Sequence, residues 1–169
     1  MRRWMAIFFE RWLFERLYRR REARADEDGA FRHRVAGLDT LWRAATFVES
    51  AVDHEERDGL FDVPHPPAWT LARRRANGSD AARLAQAALA ENGREALLLT
   101  VYDGGFRAKQ VVCAVQESGG WHHVSLQGMF GIYGDLDEIA EDLLPGWRLY
   151  LSRDARMRIV AWKERLPDR

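Results

Sequence analysis

Cysteine is nearly absent: Cys113 is the single one in 169 residues. That excludes an internal disulfide and a CxxC metal site, and it suits a reducing, cytoplasmic compartment. Lysine is almost as scarce, Lys109 and Lys163 standing against 24 arginines. The bias runs along the whole chain and so marks composition, not one arginine-specific site. Net charge is also missing, because 26 basic residues balance 26 acidic ones. No global field draws nucleic acid, and no nucleic-acid partner is expected. No run approaches the roughly 18 apolar residues of a spanning helix, so no transmembrane segment is expected. The N-terminal WMAIFF run is broken by Glu10 and Arg11 and precedes no small-residue cleavage site, unlike a secretory signal. The five histidines, His33, His54, His65, His122 and His123, include no HExxH. Adjacent histidines on a strand point to opposite faces and cannot chelate together, so no metal is expected. Gly104–Gly105 and the run GMFGIYG lack a Walker lysine or a GxGxxG, so no nucleotide or other cofactor is expected.

What is present suits one packed domain. The chain is 47% hydrophobic, with seven tryptophans and eight phenylalanines, and 31% charged. Residues 2–24 lack glycine and proline and read as one helix. On a helical wheel Trp4, Met5, Phe8, Phe9 and Trp12 share one broad face, while Ile7, Phe14 and Tyr18 form a second stripe. The helix is thus apolar on more sides than one surface covers. Residues 1–24 carry eight arginines against three glutamates, a net of +5. Aromatics flanked by arginines suit either packing against another protein subunit or a membrane headgroup boundary. Trp4, Phe8, Phe9, Trp12, Arg19, Arg20 and Arg21 are the candidate contact residues. Arg19 to Arg21 also complement a helix dipole.

Residues 25–37 read as a linker and 38–169 as the domain proper. Asp39 is expected to cap a helix carrying Leu41, Ala45, Val48 and Val52 on its core face and ending near His54. The proline-rich GLFDVPHPPA reads as an extended loop, and Pro67 suits the first turn of a short helix through Arg75. Asn77 or Ser79 should cap the next helix, whose small apolar positions Ala82, Ala85 and Ala88 allow close approach to a sheet, with Gly93 as its stop. Strands follow over 96–102, 110–115 and 122–126, then a GMFGIYG loop, a helix capped by Asp135, and strands near 147–152 and 157–162. Helices followed by strands indicate an α+β fold with a mainly antiparallel sheet.

The stretch ANGSDAARLAQAALAENG, with QVVCAV and WHHVSLQG after it, resembles the core of the transglutaminase-like (papain-like) cysteine hydrolases. That family reads G-D-C-x-D-[FY]-A, an apolar helix ending in L-G, a strand, a strand opening H-[AV]-V, and a strand ending in Asp or Asn. The layout has a physical reason: a thiol at a helix N-terminus meets the positive dipole end, and a strand histidine takes its proton. Here Asp80, Ala82, Leu89 and Gly93 match, over a resemblance spanning about residues 38–128. Gly78 then stands at the cysteine position, Gln110 at the histidine position and Ser125 or Leu126 at the third. The resemblance implies a domain that has kept the fold and lost the triad, serving as a binding or accessory subunit on a larger complex or peripherally on the cytoplasmic face of a membrane. The alternative is a cysteine or serine hydrolase with relocated residues, Cys113 with His122, or Ser79. A hairpin placing Ser118 opposite Trp121 would set Cys113 opposite Leu126, leaving His122 roughly 13 Å away along the strand.

Overall fold

A computed structural model describes residues 1–23, 29–56 and 59–165. The N-terminal segment is one continuous helical rod made of α1 (Arg2–Phe8), a π-helical turn (Phe9–Leu13) and α2 (Phe14–Glu22). Next come α3 (Gly29–Val35), α4 (Leu41–Ala51), the two-residue strand β1 (Asp53–His54), α5 (Pro67–Arg73), β2 (Arg75–Ala76) and α6 (Gly78–Glu91). Strands β3 (Leu97–Tyr102), β4 (Lys109–Glu117), β5 (Gly120–Ser125) and β6 (Gly128–Tyr133) are followed by α7 (Leu136–Leu143), β7 (Leu149–Arg153) and β8 (Ile159–Glu164). The fold is α+β. Its six-stranded sheet runs in the order β6-β5-β4-β3-β7-β8, and every neighbouring pair is antiparallel.

Period-2 alternation sorts the sheet into two faces. Leu98 of β3 with Val111, Cys113 and Val115 of β4 face α6, in a core that also takes Val48 of α4 and Phe14 and Tyr18 of the rod. The intervening Leu99, Val101, Val112 and Ala114 face α7 with Ile139, Trp147 and Tyr150. Ala81, Ala82, Ala85 and Ala88 are small enough for α6 to lie close on β4. Buried Gln86 fixes its height by donating to the carbonyls of Ala96 (3.0 Å) and Arg153 (2.9 Å).

Several expectations are corrected here. The region 25–37 holds α3 and is not a plain linker; residues 25–28 lie outside the described ones. Thr40, not Asp39, caps α4, accepting from the Arg43 amide, while Asp39 pairs with Arg43. That helix ends at Ala51, because Asp53–His54 pairs in parallel with Arg75–Ala76. The glycine-rich GMFGIYG is the edge strand β6. Its Gly131 has φ +136° and lies where a Cβ would come within 2.9 Å of the Trp121 carbonyl and the His122 ring, so glycine is required for the two strands to meet. The β4–β5 hairpin turns one residue earlier than expected, pairing Glu117 with Gly120 and so Cys113 with Val124 in place of Leu126.

The rod is no detached appendage. Ala6, Phe9, Glu10, Phe14 and Tyr18 are buried. Glu10 and Arg153, 0% and 1% exposed at their side chains, form a 2.7 Å ion pair, and Tyr102 donates its hydroxyl to the same carboxylate. The Arg153 guanidinium also lies 3.7 Å from the Phe14 ring centre. Residues 1–23 therefore belong to the same folded unit as the sheet.

Candidate functional site

The family-like site would lie at the N-terminal end of α6, where the dipole is positive and the head of β4 arrives. Asn77 caps the helix, its side-chain oxygen accepting from the Asp80 amide at 2.9 Å. Its amide group donates to the Asp62 carboxylate at 2.6 Å, and the same oxygen accepts from Ser79 Oγ at 3.0 Å. Asp80, fully buried, accepts from the His65 backbone amide at 2.6 Å. His65 Nδ1 lies 3.2 and 3.1 Å from its two oxygens, so that nitrogen carries the proton and donates. Arg73 NH1, 3.3 Å from the same nitrogen, is then a neighbouring charge and not a donor to it. Arg73 grips Glu55 with a 2.9 Å ion pair, and Trp69 packs edge-on against His65. The loop GLFDVPHPPA thus supplies Asp62 and His65 to the helix end, held by the β1–β2 pair on one side and α5 on the other.

Gly78 occupies the first helical position, and a Cβ added there would meet nothing within 4 Å. The site has room for a side chain and carries none. Gln110 and Ser125 do not face it. Counting from Cys113, which packs toward α6, Gln110 falls on the α7 side of β4 and is exposed; Ser125 falls on the same side of β5, where its hydroxyl meets Gln127. The residue aimed at the helix end from the head of β4 is Lys109, whose Nζ donates to the Asp62 carbonyl at 2.8 Å and sits 5.9 Å from the centre of the Phe9 ring. Sequence reasoning overlooked Lys109 and His65. For Lys109 the signal was strand parity counted back from VVCAV; for His65 no local signal existed, since its partner Asp80 is fifteen residues away across a loop.

Cys113 is fully buried and unbridged, and burial pushes its thiol up to about 12. Such a thiol stays protonated at neutral pH and is a poor nucleophile. The observed register brings His122, opposite Val115, to within two residues of Val124 on the strand facing Cys113, nearer than the expected separation. No hydrogen bond joins the pair, and His122 Nδ1 is buried without a partner. His123, on the opposite face, stacks on Phe130 and approaches Tyr133, whose hydroxyl donates to Asp142 at 2.7 Å. Burial drives its imidazole down to about 4, against a smaller opposing pull from Asp142.

The contact residues expected on the rod divide. Phe9 is buried against Phe14 and Phe61. Trp4, Phe8 and Trp12 are 67%, 55% and 71% exposed. Arg19 is tied to Glu22 at 3.0 Å and to the Arg156 carbonyl, Arg21 donates to the Val63 carbonyl, and Arg20 is exposed. Among the described residues no cluster of His, Cys, Asp or Glu could hold a metal ion, and no helix is long and apolar enough to cross a membrane. No protein-family model matches the chain, and no curated protein is significantly similar to it.

Proposed function

We propose that the chain is a catalytically inactive transglutaminase-like domain that works as a binding or accessory subunit at a cytoplasmic location, docked through the outer face of its N-terminal rod. One observation carries this reading: the N-terminal end of the central helix, where a nucleophile would be activated, presents Gly78 with open space beyond it. The polar groups around it serve the structure. Asp62 receives the cap and Ser79, Asp80 receives His65, and Lys109 donates to a loop carbonyl.

A hydrolase using Ser79 is the second reading, favoured by the 3.0 Å bond from its hydroxyl to a carboxylate. A carboxylate is a weak base toward an alcohol, and activation ordinarily needs an imidazole at hydrogen-bond reach.

The test is active-site labelling of the purified protein with a fluorophosphonate and with iodoacetamide at neutral pH. The expected result is no fluorophosphonate adduct and alkylation of Cys113 only on denaturation. In Gly78→Cys, the new thiol at the helix N-terminus alkylates rapidly, because the dipole favours its thiolate. A stoichiometric adduct on Ser79, abolished in Ser79→Ala, would overturn the inactive reading.

A further inference from the structure

We infer that the outer face of the N-terminal rod docks on an anionic lipid surface, its aromatic first half inserted at the headgroup boundary and its arginine second half lying against lipid phosphates. This rests on the accessory-domain reading above and names the surface on which the domain docks.

The argument begins with spacing. Trp4, Phe8, Trp12, Arg16 and Arg20 recur every four residues, and all five are exposed. On a regular α-helix a four-residue step overshoots a full turn by about 40°, so such a series would wind around the rod. The π turn at Phe9–Leu13 is underwound and takes back part of that drift, keeping the series on the outer side while Ala6, Glu10, Phe14 and Tyr18 stay on the inner one. Met1, Met5 and Leu13 widen the apolar half and are themselves exposed.

Chemistry along the axis is segregated. The first half of the outer face is aromatic and aliphatic up to Arg11, which stands exposed beside Trp12 with its guanidinium 4.7 Å from the centre of the Trp162 ring. The second half offers Arg16 and Arg20, neither in an ion pair among the described residues, with an open groove of about 550 Å³ beside them that reaches Trp12. Among the described residues Glu15 is the only carboxylate lining that groove, and it faces Arg19 at 3.9 Å. A protein interface concentrates its apolar residues centrally and rings them with polar ones. An order running from apolar to cationic along one rod instead matches the depth gradient of a bilayer surface, where rings lie at the polar/apolar border and guanidinium groups meet phosphate. The rest of the chain must carry a net of −5 to balance the +5 of residues 1–24, so an anionic surface attracts this end and repels the remainder, which fixes orientation.

The experiment is sedimentation of the full-length protein with phosphatidylcholine vesicles, with and without about a quarter phosphatidylglycerol. Wild type is expected to pellet with the anionic vesicles and not with the neutral ones. Arg16→Gln/Arg20→Gln weakens partitioning about thirtyfold at low salt, and Trp4→Ala/Phe8→Ala/Trp12→Ala weakens it at least about tenfold, each with an unchanged thermal midpoint. Trp4→Phe/Trp12→Phe keeps the binding but loses part of the fluorescence quenching by brominated lipid, which locates those rings in the bilayer. Failure of wild type to pellet with anionic vesicles, or pelleting that ignores both sets of substitutions, overturns the inference. Co-purification with a protein subunit that the aromatic variant loses, without any vesicle binding, overturns lipid docking and leaves the accessory reading standing. A labelled Ser79 in a protein that pellets as expected would do the reverse.

Discussion

The end of α6 and the outer face of the N-terminal rod each concentrate costly side chains, and they are treated in opposite ways. At α6, Asn77, Ser79, Asp80 and His65 are buried and joined to partners, so the groups that chemistry would use are consumed in holding a loop against a helix. On the rod, Trp4, Phe8 and Trp12 are left in water although the inner side of the same helix is sealed into the core. Exposed tryptophans forgo burial worth roughly 2–3 kcal/mol each, so a contiguous set of them marks an interaction surface more clearly than any polar residue at α6 does. The lesson is that the informative groups are those left unsatisfied.

That contrast can be broken first at Glu10. Replacing it with alanine strands Arg153 as a buried uncompensated charge and should cost about 3–5 kcal/mol, read as a lower denaturant midpoint. A Glu10→Met/Arg153→Met double variant recovers much of the loss if the cost is desolvated charge and not lost shape. For the same reason, removing residues 1–23 is expected to unfold the protein, so docking has to be probed with outer-face point variants.

Next in size is a pH effect on the far side of the sheet. The folded value of His123, about 4, lies below the ordinary histidine value of 6.5, so the unfolded chain takes up the proton first as pH falls. Its stabilising contribution is complete above about pH 6.5 and is lost on acidification to about pH 4, some 3 kcal/mol in all. His123→Phe, which keeps the stack on Phe130 and Tyr133, should flatten that part of the stability–pH curve; an unaltered slope would mean that the ring is solvated.

At α6 itself, Asn77→Ala removes the cap and a donor to Asp62. A loss of about 1–2 kcal/mol in unfolding free energy is expected. The smallest effect belongs to the rod: Trp4→Ala, Phe8→Ala and Trp12→Ala should each shift stability by no more than about 0.5 kcal/mol. Thermal melts that fell sharply would show these rings to be packed and would remove the contrast.

Much of this architecture was legible locally. Pro67 opening α5, Asn77 capping α6, Gly93 in the left-handed region ending it and Asp135 capping α7 are all short-range chemistry, and each stands where the sequence puts it. Capping depends on an oxygen within three residues, which a reader of sequence can see. The same nearness misled at Asp39, where Thr40 is equally suitable and the aspartate is taken by Arg43. GMFGIYG reads as a loop because its glycines outweigh Met129, Phe130 and Ile132; pairing with β5 supplies hydrogen bonds that composition does not register.

By itself, the sequence determined the α+β class, the continuous N-terminal helix and the succession of helix, hairpin strands and helix, because each follows from period and turn chemistry within a few residues. Only the tertiary structure decided which side of the rod is core and which is free, since both sides are aromatic and the choice turns on Arg153, which lies 143 residues from Glu10. It decided likewise that Lys109, and not Gln110, faces the end of α6. Strand parity inverts with a one-residue shift, and the packing of Val111, Cys113 and Val115 against α6 is what fixes it.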